Sequence, residues 1–207
     1  MPSMHIVDAS PNPYTSVTRE LTQAFAQEAE ALDPALSVTR RDLGTNPPPH
    51  LDIGTIGAFF TPPDQLTPDQ VQMSALSMDL IGEFLGADLV VFGVPMHNFG
   101  MPSGFKAYVD HVVRPGLTFQ LTETGPRGLV EDKRLIVVTA RGGYYVSDEM
   151  RALDNQESYI RAIFGFIGID DILFVNCEGC DIDPEARQAA ITSSKTRLSE
   201  VAQQLAA

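Results

Sequence analysis

The sequence predicts an α/β fold in which helices cover both faces of a five-stranded parallel sheet. Five short runs read as strands, and several of them are near-continuous in Val, Ile and Leu, as strands buried on both faces are. Segments of helical periodicity separate them, which is the alternation that a parallel sheet requires. The chain has 207 residues, 43% of them hydrophobic and 20% charged, enough for one large core and ordinary for a globular protein.

MHIVDA (4–9) reads as the first strand. Leu21, Ala24, Phe25 and Leu32 then share a helical face that stops at Asp33-Pro34. LSVTRRDL (36–43) is the second strand. A helix opens at Thr67 as cap, with Pro68 at its first position and Gln70 closing a capping box; Met73, Leu76, Leu80, Ile81 and Phe84 form its apolar face. DLVVFGVP (88–95) is the third strand, followed by the short helix SGFKAYVDHVV. RLIVVTA (134–140) is the fourth, NQESYIRAIFGFIGI the next helix, and ILFVNCEG (172–179) the fifth strand. Asp183-Pro184 starts the last helix, which carries Ile191, Leu198, Val201 and Leu205. Five strands beginning at the N-terminus favour the flavodoxin-like order 2-1-3-4-5 over the six-stranded dinucleotide order, in one domain spanning 1–207. In that order ligands bind beyond the carboxyl ends of the strands, near the first and third.

Residues 44–66, GTNPPPHLDIGTIGAFFTPPDQL, are too long for a neutral connection. Ile53, Ile56, Phe59 and Phe60 make this excursion either a plug for the edge of the core or a lid or dimer arm.

The net charge is −13, from 27 acidic and 14 basic residues, a field that repels phosphate backbones and anionic membranes. No apolar run reaches the roughly 20 residues of a membrane helix. The opening MPSMHIVDAS is too short and too uncharged at its start for a signal peptide, so the chain is expected in the cytoplasm, without nucleic-acid or membrane partners. Cys177 and Cys180, spaced CEGC, have the spacing of a redox pair or half a zinc site. No further ligands complete a zinc site, and the pair follows the last strand rather than opening a helix. It reads as two reduced thiols at a strand end, and no metal is expected.

Three loops follow strands one, three and four. The first, DASPNPYTSVTRE, clusters Ser10, Ser16 and Thr18 where a helix begins. Alone, Ser16 is an N-cap. With two more hydroxyls at the ligand end of the sheet, the loop becomes a phosphate cradle that needs no Lys or Arg. The second, PMHNFGMPSG, holds Pro95, Met96, His97, Asn98 and Phe99 without charge, and suits a flat aromatic ligand whose edge takes backbone hydrogen bonds. His97 there is a wall, not a base. In the third, TARGGYY, Gly142 and Gly143 allow positive φ and close approach to a ligand, and Arg141 can offset developing negative charge. Gly-Gly alone equally marks an ordinary turn. Other chemistry is missing: no GxGxxG, no Walker motif, no HExxH, and in GMPSG the Ser stands one place too late for a nucleophile elbow.

The three loops together are recognisable. The chain resembles the flavodoxin-like, FMN-dependent NADH-azoreductases, which are also quinone reductases, through ASPNPYTSVTREL, VPMHNFGMPSGFKAYVDHVVRPGLTF, TETGPRGLVEDKRLIVVTARGG and FGFIGI. The second stretch is the most specific. The resemblance implies that Ser10, Ser16, Val17 and Thr18 hold the FMN phosphate. It implies that Pro95, Met96, His97, Asn98 and Phe99 line the ring, and that Ala140, Arg141, Gly142 and Gly143 lie near its pyrimidine end. It further implies a homodimer with active sites at the interface, with Phe166 and Phe59 or Phe60 on the substrate side. Some positions depart from the family. His97 stands where Tyr is frequent, Ala140 where Ser is common, Tyr145 where a His often meets flavin or substrate, and Leu121 where some members have an aromatic.

The implied activity is two-electron transfer from NADH or NADPH to quinones and azo compounds by a ping-pong mechanism. No side chain serves as catalytic nucleophile, since the cofactor carries the chemistry. Two other functions fit the fold: a flavodoxin-type electron carrier, and a non-catalytic flavodoxin-like module that binds a protein.

Overall fold

The computed structural model describes residues 3–206, so the extreme ends of the expected domain lie outside it. Strand β1 (Ser3–Asp8) leads to helix α1 (Val17–Leu32), then to β2 (Ser37–Asp42). The excursion contains α2 (Ile53–Phe60) and a 3₁₀ turn at Pro63–Gln65, and α3 (Pro68–Leu85) follows. Next come β3 (Leu89–Pro95), α4 (Ser103–Val112), and a hairpin of β4 (Phe119–Thr122) and β5 (Gly125–Gly128). The chain ends through β6 (Arg134–Ala140), the single turn α5 (Asp148–Arg151), α6 (Asn155–Phe166), β7 (Ile172–Cys177) and α7 (Pro184–Ala206).

The main sheet is parallel throughout, in the order β2-β1-β3-β6-β7. That is the order expected from sequence once the two hairpin strands are set aside. The continuous apolar runs fill two layers because side chains alternate across the sheet. From β3, Val90, Phe92 and Val94 join Phe84, Phe105, Tyr108 and Phe164 beneath α3, α4 and α6. Val91, on the opposite face, joins Leu21, Phe25, Ile136 and Leu198 beneath α1 and α7. The capping box of α3 forms as read: Thr67 Oγ1 accepts from Gln70 N, and Gln70 Oε1 from Thr67 N.

Some expected core positions are not core. Met73 is 47% exposed, and α3 instead buries Ser74 and Ser77. Ser77 tolerates burial because its hydroxyl donates to His111 O at 2.5 Å and accepts from Arg114 Nη1 at 3.2 Å. Leu32 and Leu205, near helix ends, are also exposed.

The excursion is packed at its base. Phe59 is buried under the Arg114 guanidinium, 4.0 Å from the ring centre, and meets the edge of His111. His111 Nε2 lies 3.0 Å from Pro49 O, a geometry that makes Nε2 the donor. Phe59 thus plugs the edge of the core, while Ile53 and Phe60 stand out at 86% and 68% exposure.

Two buried histidines set an acid limit. His5 and His111 are held below the usual 6.5, in each case first by burial; Glu83 opposes the effect at His5, and the Pro49 carbonyl and Asp110 oppose it at His111. Arg41, Lys133 and Arg114 add to the lowering. Because the folded-state value lies below the unfolded one, the unfolded chain binds the proton first. Stability from these groups is therefore complete above pH 6.5 and falls as pH drops below it. The expected added slope is up to about 1.4 kcal/mol per pH unit for each histidine. Urea melts between pH 7.5 and 5 check this, and His111→Gln is expected to remove its share of the slope.

Candidate functional site

The loops after β1, β3 and β6 meet at the carboxyl edge of the sheet. They enclose a hollow of about 200 Å³ whose lining includes Ser10, Ser16, Val17, Met96, Ala140 and Gly142. Pro95, His97 and Arg141 also reach it. Nine of the residues expected at a cofactor site are thus brought together here.

The first loop is preshaped by its own side chains. Asn12 Oδ1 accepts from Tyr14 N at 2.9 Å and Thr15 N at 3.0 Å, and Asn12 N donates to Ser10 Oγ at 3.3 Å. Ser16 caps α1, accepting from Arg19 N. Among the described residues, the N–H groups of Val17 and Thr18 have no partner, as the first turn of a helix leaves them. These donors and the dipole end of α1 suit an anion. The Thr18 side chain is buried, with Oγ1 3.1 Å from Ser16 Oγ, so Thr18 offers its N–H directly and its hydroxyl only through Ser16.

Two arginines hold this loop, and sequence reasoning missed both. Arg19 donates twice to Ser10 O, at 3.2 and 2.7 Å, and pairs with both carboxylate oxygens of Asp42. That partner holds Asp42 well below the ordinary carboxylate range. Arg187 of α7 donates to Thr15 O at 3.1 Å and Cys180 O at 3.3 Å, and it borders the hollow. The cradle therefore has a basic side chain at its rim, contrary to the expectation of a cradle of hydroxyls and backbone alone. Asp181 lies at the same rim.

The second loop is a two-residue hairpin turn. His97 and Gly100 exchange backbone bonds at 3.1 and 2.9 Å, and Asn98 and Phe99 between them both have positive φ, 50° and 65°. Such turns need positive φ at both central residues. Among the described residues the N–H groups of Asn98 and Phe99 have no partner, while Phe99 O accepts from Asn155 N at 2.9 Å. Gln156 of α6, fully buried, donates to Val94 O at 3.0 Å and Pro95 O at 3.2 Å, fixing the strand end beneath the turn. His97, Asn98 and Phe99 are exposed.

Left-handed backbone costs an L side chain about 1–2 kcal/mol, and a glycine loosens the unfolded chain by about 0.4–1 kcal/mol. Phe99→Gly is therefore expected to raise the stability of the cofactor-free protein by about half a kcal/mol while weakening ligand retention. A urea melt and a ligand titration read the two separately. A lower melting midpoint would mean that the half-exposed ring makes contacts worth more than the strain.

The third loop departs from expectation. Neither Gly142 nor Gly143 has positive φ. A Cβ on Gly142 would come within 2.6 Å of Asp181 Oδ2 and would push that carboxylate aside, whereas Gly143 faces open space. Their carbonyls are tied by Asp181 N and Gly179 N, each at 3.0 Å, and among the described residues their N–H groups are left without partners. The Arg141 guanidinium is buried in an ion cluster: Asp154 at 2.7 Å, Glu178 at 3.0 Å and Glu157 at 3.7 Å. Its charge is thereby neutralised, which corrects the reading of Arg141 as a free cation for developing negative charge. Tyr145 lies 5.3 Å from that guanidinium and donates its N–H to Glu178, which places it with the cluster rather than in the hollow.

That cluster lines a larger groove, about 900 Å³, between α6 and α7 along edge strand β7. Its size does not make it the site. Its arginines and carboxylates are largely paired, whereas Val17 and Gly142, whose N–H groups lack partners among the described residues, line the smaller hollow. Thr18, Asn98, Phe99 and Gly143 are not among its lining residues, and Asn98 lies with His97 at a separate, more open hollow.

Of the expected substrate-side residues, Phe59 is corrected to a core anchor, because Arg114 and His111 cover it. Phe60 remains exposed on the excursion. Leu121 is 73% exposed at the hairpin, and Phe166 packs on Phe119 at 4.8 Å with one side open.

Fold and site define a doubly wound α/β protein whose loops after β1, β3 and β6 enclose a hollow with unpaired backbone donors at the carboxyl edge of its sheet. The chain belongs to the family described as having the flavodoxin-like fold, whose model matches residues 3–202. It is 41% identical over 197 residues, 95% of this chain and 98% of the relative, to FMN-dependent NADH:quinone oxidoreductase 2 of Pseudomonas fluorescens. It is 42% identical over 201 residues, 97% and 95% of the two chains, to FMN-dependent NADH:quinone oxidoreductase 1 of Trichormus variabilis. Among solved structures, an FMN-dependent NADH-azoreductase from Bacillus anthracis in complex with FMN superimposes with a TM-score of 0.89 at 26% identity, covering all of both chains.

Proposed function

We infer that the protein is an FMN-dependent oxidoreductase that passes two electrons from NADH to quinones and azo compounds. The observation that carries this is the hollow itself: Ser16 and Val17, at the N-terminus of α1 where the N–H groups of Val17 and Thr18 are unpaired, share it with the uncharged Pro95, Met96 and His97. The near-full-length identity to quinone oxidoreductases agrees with it. FMN, when bound, supplies the two-electron chemistry between donor and acceptor.

The chain's own residues bind and orient. Ser10, Ser16 and the N–H groups of Val17 and Thr18 hold the phosphate, with Arg187 at the rim. Pro95, Met96, His97 and Phe99 wall the ring, and the N–H groups of Asn98 and Phe99 serve its edge. Ala140 and the N–H groups of Gly142 and Gly143 serve the other edge, stabilising negative charge as fixed dipoles do. Arg141 and Tyr145 contribute by holding that loop. Donor and acceptor occupy one place in turn, bounded by Phe60, Phe166 and Leu121.

A second copy of the chain would cover Ile53, Phe60 and Leu121, all strongly exposed, and complete the acceptor side as a homodimer in the cytoplasm. Among the described residues no helix is long and apolar enough to cross a membrane. Light scattering after size exclusion reads the dimer; a monomer would remove the shared-site part of the proposal.

The decisive measurement is the visible spectrum of purified protein, followed by NADH with and without a benzoquinone. The yellow flavin bands are expected, bleached by NADH and restored by the quinone. Colourless protein that gains no NADH–quinone activity with added FMN would overturn the reading.

A further inference from the structure

The chain has only two cysteines, and the fold sets them side by side. Cys177 ends β7, and Gly179, with φ of 77°, turns the chain back so that the two Sγ atoms lie 3.6 Å apart. Both residues are buried, yet Cys180 borders the small hollow, which gives a solute a route to the pair. The Cys177 thiol is pulled down to about 7, first by the hydrogen bond from Cys180 and then by Ser194 and Arg187. A disulfide needs the sulfurs at about 2.05 Å, so they would close by about 1.5 Å within one tight turn.

The pair also carries the cofactor loops. Arg141 N donates to Cys177 O, and Cys180 N to Arg141 O, both at 2.9 Å, so the third loop is pinned between the two cysteines. Cys180 O accepts from Arg187, which also holds the first loop at Thr15 O. Moving either sulfur therefore pulls on two of the three loops.

We propose that Cys177 and Cys180 are a redox-active dithiol, oxidised by hydroperoxides to a reversible intramolecular disulfide whose formation opposes FMN binding in the adjoining hollow. The coupling half rests on the cradle holding FMN; the disulfide half does not. In the first step the Cys177 thiolate attacks one oxygen of hydrogen peroxide. An S–O bond forms, the O–O bond breaks, and the departing hydroxide takes a proton to become water. In the second, the Cys180 sulfur attacks the Cys177 sulfenic acid; the S–S bond forms, the S–O bond breaks, and a second water leaves with the Cys180 proton. Two thiols and one peroxide thus give one disulfide and two waters. A dithiol reductant reverses the change by exchange.

The test treats the reduced protein, with and without FMN, with hydrogen peroxide and reads intact mass and alkylation by N-ethylmaleimide. The expected product has lost two hydrogens, takes no maleimide, and regains both thiols with dithiothreitol. Cys180→Ser is expected to take up oxygen at Cys177 instead, and Cys177→Ser, which lacks the attacking sulfur, to react little. Two thiols still alkylatable after peroxide, or oxygen uptake by the wild type without loss of two hydrogens, would overturn the disulfide. FMN fluorescence titration then compares the reduced and oxidised proteins. About tenfold weaker binding is expected after oxidation, and by linkage FMN should disfavour the disulfide by the same factor. Equal affinities would overturn the coupling. Failure of both forms to bind FMN would instead count against the cradle and leave the thiol result standing.

Discussion

Arg141→Ala is expected to cost about 3 kcal/mol of stability, because it strips the buried cation from a nest of three carboxylates, Glu157 alone keeping a second partner in Arg161 at 2.7 Å. Asp154 is partly compensated without it, since it caps α6 and accepts from Gln156 N and Glu157 N. Glu178 lacks such support beyond the Tyr145 N–H, and it carries most of the penalty. A urea melt of cofactor-free protein measures the loss, and Arg141→Lys should recover part of it, as a point charge cannot fork between two carboxylates. The same variants separate two roles. If the guanidinium stabilised charge on the reduced cofactor, kcat at saturating FMN would fall sharply with stability intact. The geometry predicts the opposite: a large stability loss, with most of kcat kept below the melting range.

That reversal shows where sequence reading stops. Arg141 looked like a free charge because its neighbours in the chain are Ala140 and Gly142. The carboxylates that neutralise it come from a helix cap and from the turn after the last strand, contacts that only the sheet order creates. The sheet order itself was legible, because the near-continuous apolar runs of β1, β3 and β6 and the 3.6-residue period of the helices leave a strong record, although edge strand β2 has no buried residue. So was the α3 capping box, a local device whose partners are three residues apart. The β4–β5 hairpin was not. Its second strand, GPRG, has no strand propensity and is held by pairing with Phe119–Thr122 and by the close fit of Gly128 on the Ile167 backbone. Met73 was misplaced for a related reason: hydrophobicity alone cannot foresee that Ser77 is satisfied by His111 and Arg114.

The site divides in the same way. Loop positions were readable, since ligands gather beyond the carboxyl ends of strands at the switch point. The supports were not. Arg19, Gln156 and Arg187 act through carbonyls of residues 9, 61 or 62, and 7 or 172 positions away in the chain, respectively. No local pattern marks them. Backbone strain is equally hard to read: Gly142 and Gly143 allow positive φ without adopting it, and it is Asn98 and Phe99 that hold it, at 50° and 65°.

Ser16→Ala combined with Thr18→Val is expected to weaken FMN binding by about two orders of magnitude. A hydrogen bond to a charged group contributes about 1.5–3 kcal/mol, which for Ser16 alone is roughly a ten- to hundredfold effect. Thr18→Val alone should do less, because its hydroxyl is buried and reaches the hollow only through Ser16. The double variant should therefore fall short of a simple sum of the two, the mark of residues acting through one contact. Ser16→Ala also removes the cap on Arg19 N and should lower stability by about 1 kcal/mol, so binding must be measured well below the melting range. A fluorescence titration of FMN with the two single variants and the double variant supplies all the terms. Undiminished affinity in the double variant would move the phosphate off the α1 terminus, and Arg187→Ala would then test the only basic side chain left at that rim whose charge is not already paired with carboxylates.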